Sequence, residues 1–368
     1  MLQSDHLRHK NFRPQPRAAA LHKNSFAFKL YCSVFVTLAS IMTGAQTTKV
    51  PHSYSSSTQK FTVAVAKDVV LHDAARKKDL HLSVAYPDSP GKFPVIVFSH
   101  GAGGSQDGYQ YLTRYWAGYG YIVIQPSHAD SIALHHAAGD KDYGLGQAAA
   151  AAVNHPDEQQ NRPRDISFIL DSLPELEKKI PALHDKLDAK HIGVGGHSFG
   201  AFTSQALAGA TLKTSANTPP MDLSDKRVIA VLAISGQGSG AMSLTEDSWK
   251  NLRLPMMFMT GSEDFSLGGH GPEWREEPFL KSPAGDKYLV FINGAAHMTF
   301  SGTGAREDLQ QGASAIAMDQ ERTAMLRDVQ VSTLAFWDAY LKNDKSALSY
   351  LASDELQQMD GRIKFSRR

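Results

Sequence analysis

Cysteine is almost absent from this 368-residue chain. The single Cys32 can form no disulfide within the chain and cannot by itself build a thiolate metal site. An excess of either charge is also lacking. The 38 basic residues stand against 37 acidic ones, so the electrostatic footprint of a nucleic-acid binder is missing. No helical His-Glu-x-x-His pair occurs, although His128, His135, His136 and His155 crowd one stretch. That stretch reads as a solvated insertion more than as a zinc site. A Gly-Lys-Ser/Thr phosphate loop is absent too. These absences imply no metal, no organic cofactor and no nucleic acid.

A membrane-spanning run is likewise missing. The apolar stretch Leu30–Met42 is too short for a comfortable span. It follows a basic stretch, residues 1–29, whose one acid is Asp5, and it precedes the small residues Thr43, Gly44 and Ala45. This pattern predicts a secretory signal peptide over 1–45, cut near Ala45, with an uncleaved anchor as the alternative. The basic part is long, which suggests a start codon downstream of Met1. Cys32 would leave with the signal, as suits a secreted or periplasmic protein. Residues 46–66 are expected to be a flexible spacer. The main domain is expected over 67–345, with an insertion at 127–161 and a C-terminal tail over 346–368 that is basic and frayed from Ser366.

What is present centres on Gly196-His197-Ser198-Phe199-Gly200. The pattern Gly-x-Ser-x-Gly places a serine on a sharp turn between a buried strand and a helix. The flanks fit. His191–Gly195 reads as a short strand, and Ala201–Ala210 as a helix of small residues. The glycines permit the close approach of strand and helix. The helix N-terminus adds positive potential where a transient oxyanion would form.

Further strands are expected where apolar runs end in turn signals. Val69–Leu71 and Leu80–Tyr86 read as an antiparallel pair. Pro94–Phe98 leads into the glycine-rich loop Ser99–Ser105, and Tyr121–Pro126 follows a helix at Tyr109–Ala117. Another helix is expected from Asn161 to Asp171. Val228–Ile234 ends in Ser235–Gly240, and Pro255–Thr260 ends in Gly261-Ser262-Glu263-Asp264. The last strand, Tyr288–Ile292, runs out to His297, before a helix from about Gln320 to Leu341.

The order is therefore a serine on an elbow, an acid after a later strand, and a histidine after the last strand. In PVIVFSHGAGGS, GVGGHSFGA, MTGSEDFS and INGAAHMTF, over roughly residues 68–345, the chain resembles the α/β-hydrolases. It resembles more closely the dienelactone-hydrolase-like and platelet-activating-factor-acetylhydrolase-like secreted esterases. The resemblance implies a mostly parallel central sheet flanked by helices, with an antiparallel N-terminal edge. It implies Ser198 as nucleophile, His297 as general base and Asp264 as orienting acid. The amides of Ala102 and Phe199 would form the oxyanion hole. Two departures stand out. Dienelactone hydrolases carry cysteine at the elbow, and acetylhydrolases place the acid one strand earlier, where this chain has Ile234-Ser235-Gly236. Glu263 competes with Asp264.

His100 is expected to order the oxyanion loop, and Phe199 to line the acyl pocket as well. His197, Gln237 and Trp274 are expected to meet substrate. The loops 127–161, 265–279 and 298–318 are expected to wall a partly covered cleft. The expected activity is hydrolysis of short or medium acyl esters, from small molecules or lipids. A serine peptidase or amidase, an acyltransferase and an inactive binding protein on the same fold are the alternatives.

Overall fold

The computed structural model describes residue 54 and residues 60–215, 217–302 and 313–368. The signal-peptide reading and most of the proposed spacer therefore lie outside the described residues.

The chain opens with β1 (Val63–Asp73) and β2 (Lys78–Pro87), an antiparallel hairpin. Asp73 closes its turn by accepting the Arg76 backbone N–H at 3.0 Å. The spacer expected to reach residue 66 thus ends earlier, because Val63–Ala66 pair with Val84–Pro87. Next come β3 (Phe93–Ser99), α1 (Gln110–Gly118) and β4 (Ile122–Ser127). The segment read as an irregular insertion holds α2 (Ile132–Ala137), α3 (Leu145–Asn154) and the start of α4 (Pro156–Asp171). The short α5 (Leu173–Lys179) leads to β5 (Leu187–His197) and α6 (Phe199–Leu207). Then follow β6 (Val228–Ile234), β7 (Met256–Glu263), α7 (Pro272–Lys281) and β8 (Lys287–Ala296).

The C-terminal part departs most from expectation. After the long α8 (Ala313–Leu341) come α9 (Lys345–Ala352), α10 (Glu355–Met359) and β9 (Ile363–Arg367). Part of the expected C-terminal tail forms the sheet's edge strand, antiparallel to β8, and it takes in Ser366 and Arg367 of the end expected to fray. Buried Ile363 and the stacking of Phe365 on Tyr288 at 5.9 Å hold it there. Lys364 between them is exposed and blunts the edge.

Among the described residues the sheet has nine strands in the order β1-β2-β4-β3-β5-β6-β7-β8-β9. The inner pairs from β4 to β8 are parallel, and β1, β2 and β9 run antiparallel to their neighbours. This is the α/β-hydrolase architecture. The apolar strands are continuous because both faces are covered. Val95 and Val97 of β3 pack on one face with residues of α4, α5 and α6. Ile96 and Phe98 pack on the other with residues of α1, α8 and α9. Parallel strands deliver their loops at one end, so the segments after β3, β5, β6, β7 and β8 meet there.

Candidate active site

The elbow forms because glycine is required on both sides of Ser198. A β-carbon on Gly196 would collide with the Gly200 backbone, and one on Gly200 would collide with the Ser99 carbonyl. Ser198 itself takes φ 56° and ψ −117°, a strained conformation for a residue with a side chain. Its amide donates to the Ile234 carbonyl at 2.9 Å, which locks the turn to β6. The hydroxyl thus stands at the N-terminus of α6.

His297 follows β8 and reaches back to this serine. Its Nε2 lies 3.0 Å from Ser198 Oγ, and its Nδ1 lies 2.8 Å from Asp264 Oδ1. A carboxylate only accepts, so Nδ1 carries the proton and Nε2 is free to accept from the serine. Asp264 is buried, and its Oδ2 accepts from Thr260 Oγ1 at 2.8 Å. Burial alone would raise its pKa. The His297 hydrogen bond and the Arg275 charge outweigh that and hold it below the usual carboxylate range. Glu263 is exposed on the strand end.

The glycine-rich loop after β3, expected to supply the oxyanion hole, lies beside the elbow. Among the described residues neither the Ala102 nor the Phe199 amide has an acceptor. The neighbouring groups are held. Gly101 N–H donates to Tyr109 Oη at 3.2 Å, and Gly103 N–H donates to Asp130 Oδ2 at 2.9 Å. Arg162, fully buried on α4, grips the same loop from below. It donates to the His100 carbonyl at 2.6 Å, the Gly101 carbonyl at 3.3 Å and both Asp130 oxygens at 2.7 Å. Its guanidinium lies 4.0 Å from the centre of the Phe199 ring. That ring is 1% exposed, so it packs in the core and does not line an open acyl pocket.

His100 lies within this loop network. Its Nε2 accepts the His128 amide at 3.0 Å, and its Nδ1 is 2.6 Å from the Gly101 carbonyl. Burial, reinforced by the Arg162 charge, pushes its pKa well down, so it stays neutral. His197 is built in as well. Its Nε2 is 3.0 Å from the His297 carbonyl and its Nδ1 is 2.8 Å from Tyr109 Oη. A carbonyl only accepts, so His197 Nε2–H donates to it, Tyr109 O–H donates to Nδ1, and Tyr109 accepts from Gly101. This chain ties the oxyanion loop to the histidine loop through the elbow. It leaves no ring nitrogen of His197 for substrate, contrary to the sequence expectation. The feature that signalled the elbow concealed this role.

The other two expected substrate contacts lie in the loop after β6 and on α7. Trp274 Nε1 donates to the Ser239 carbonyl at 2.8 Å, and its ring stacks on His270 at 4.6 Å. Gln237 is 9% exposed in the loop after β6, and its Oε1 has no partner among the described residues. The clustered histidines do not converge. His135 meets Asp140, His136 meets the Tyr143 carbonyl, and His128 bridges Ser99 Oγ at 2.9 Å and Asp165 Oδ2 at 2.8 Å.

His128 makes an acid-stability test. Burial, then the Arg162 charge, depress its pKa to about 4 against the pull of Asp165. An unfolded imidazole takes its proton near pH 6.5, so acid between about 6.5 and 4 favours the unfolded chain. Urea unfolding is expected to show a loss of about 2–3 kcal/mol from this residue as pH falls from 7 to 4. His128→Gln should flatten that slope, and an unchanged slope would contradict it.

The comparisons with known proteins agree with this fold. The sequence profile of the chlorophyllase family matches residues 47–243, more than half of the chain. The match contains the oxyanion loop and the elbow and stops before Asp264 and His297. The platelet-activating factor acetylhydrolase of the dog, Canis lupus familiaris, is 27% identical over 242 residues, 57% of this chain and 48% of that protein. The chain thus spans about half the length of that relative. A solved ferulic acid esterase from Streptomyces cinnamoneus superposes with a TM-score of 0.58 at 18% identity. That superposition covers 84% of this chain and 98% of the other, and the likeness is one of fold. On the family match, the chain belongs to the chlorophyllase family, within the α/β-hydrolase fold.

Proposed function

We propose that this protein is a serine carboxylic-ester hydrolase in which Ser198 is the nucleophile, His297 the general base and Asp264 the orienting acid. The observation that carries this reading is the continuous chain from Asp264 through His297 to Ser198, at 2.8 and 3.0 Å. A serine hydroxyl is a poor nucleophile until an imidazole takes its proton. His297 does so as Ser198 Oγ attacks the ester carbonyl, and Asp264 stabilises the imidazolium. The carbonyl oxygen becomes an alkoxide and accepts from the Ala102 and Phe199 amides, each worth roughly 3–4 kcal/mol. His297 then protonates the leaving alcohol. Water activated by the same histidine releases the acid from Ser198.

The substrate reading is an ester of a short or medium acyl group. The acetylhydrolase and esterase names of the relatives support it. So do the exposed Phe265 and Met298, apolar residues adjoining Asp264 and His297 in the chain. Residues 1–45 are read as a secretory signal on sequence alone, and the mass of the exported chain checks that.

The test is a fluorophosphonate probe followed by peptide mapping, with p-nitrophenyl esters of increasing chain length. An adduct on Ser198 and turnover greatest for short or medium chains are expected. A folded protein that neither labels nor turns over would sink the reading.

A further inference from the structure

Helix α7 grips the back of the site through side chains of one stretch. Trp274 holds the Ser239 carbonyl, and Glu277 accepts from the Ser239 amide and hydroxyl at 2.8 and 2.7 Å. Arg275, between them, reaches deepest and is 4% exposed. Its Nε lies 2.8 Å from both the carbonyl and Oδ1 of Asp264. Its Nη1 donates to the carbonyls of Ser235 and Gly236 at 2.8 and 3.1 Å. Ser235 sits at φ 53°, so the loop it starts needs such an anchor.

Asp264 Oδ1 therefore accepts from His297 Nδ1 and is in ion-pair contact with Arg275 Nε, whose one N–H goes to the Asp264 carbonyl. The charged and titratable groups around this pair are few. His197 faces His297 from the elbow at a ring separation of 4.7 Å and is kept neutral by burial. Glu263 precedes the acid on β7 and is exposed, and Glu273 and Glu276 flank Arg275 on α7. Ser198 is neutral. Arg275 is the cation in contact with the carboxylate among the described residues.

A carboxylate beside an imidazole favours the imidazolium. A guanidinium on the same oxygen neutralises part of that carboxylate and reduces the preference. We propose that Arg275 is a positioning residue for Asp264 whose charge keeps His297 available as a base to lower pH. The proposal rests on the serine-esterase reading above. It adds a residue that does not touch substrate and acts through the acid.

The experiment compares Arg275→Gln and Arg275→Lys with the parent enzyme by kcat/KM against pH on p-nitrophenyl butyrate, with fluorophosphonate labelling of Ser198 in each. Losing the charge is expected to move the acid limb to higher pH by about one unit. Keeping it in Arg275→Lys, which cannot span all the carbonyls, is expected to leave the limb within about 0.3 unit. A labelled Arg275→Gln enzyme with an unmoved limb would overturn the proposal. An Arg275→Lys limb displaced as far as one unit would overturn it too, and that variant decides alone if the glutamine form does not fold. Failure of the parent enzyme to label would instead remove the serine-esterase reading itself.

Discussion

Ser198→Ala is expected to lower kcat/KM on p-nitrophenyl butyrate by roughly 10⁴- to 10⁶-fold, with the urea midpoint little changed. The size follows from the geometry. Everything His297 does in the first step is to take the serine proton, so without Oγ the imidazole and its acid have nothing to act on. What survives is binding and the two amide donors, which act on water alone. The fold should tolerate the change, because Ser198 Oγ bonds to His297 at the half-exposed edge of the site. Asp264→Asn separates the acids. It is expected to cost about 10⁴-fold, since an amide facing His297 Nδ1 favours the wrong tautomer. Glu263→Gln should cost less than about threefold, as Glu263 is exposed and the acid bonded to His297 Nδ1 is Asp264. Retention of more than about 1% of turnover by Ser198→Ala in a pure sample would mean that another group is the nucleophile.

The sequence made some of this legible for definite reasons. The parallel strands are unbroken apolar runs, and the glycines of the elbow mark a backbone approach that no other residue permits. Serine, acid and histidine each stand just past a strand, so the fold alone brings them to one edge. What escaped notice is held by distance. Arg162 and Asp130 lie 32 residues apart, and Arg275 meets carbonyls 40 and 39 residues earlier. No local spacing announces such partners. His128 and Asp165 were hidden in the same way. Polar residues between strands read as solvated, yet here they are buried as a network running from Ser99 to Lys78, whose ammonium lies 2.7 Å from Asp165. The C-terminal strand was lost because its charged residues look frayed, and only its pairing with β8 reveals the alternating apolar face.

The buried Arg162–Asp130 pair is where stability and the proposed chemistry meet. Arg162→Met is expected to destabilise the protein by about 3–5 kcal/mol, read from urea unfolding at pH 7. The cost comes from what stays behind. Asp130 is 2% exposed, and with the guanidinium gone its carboxylate has only the Gly103 amide and the neutral histidines nearby. The double variant Arg162→Met, Asp130→Asn should recover a large part of that loss, since asparagine still accepts from Gly103 and carries no charge. Turnover should not recover with it. Both variants lose the grip on the His100 and Gly101 carbonyls, and the Ala102 amide, which shares a peptide unit with the Gly101 carbonyl, is no longer aimed. A fall in kcat of about 10²-fold with KM nearly constant is expected, because the amide is needed most when the oxyanion forms. A double variant that regained stability and turnover together would show that the pair only fills space. Stability regained without turnover would show that the guanidinium serves the loop's geometry, a role the buried charge alone does not explain.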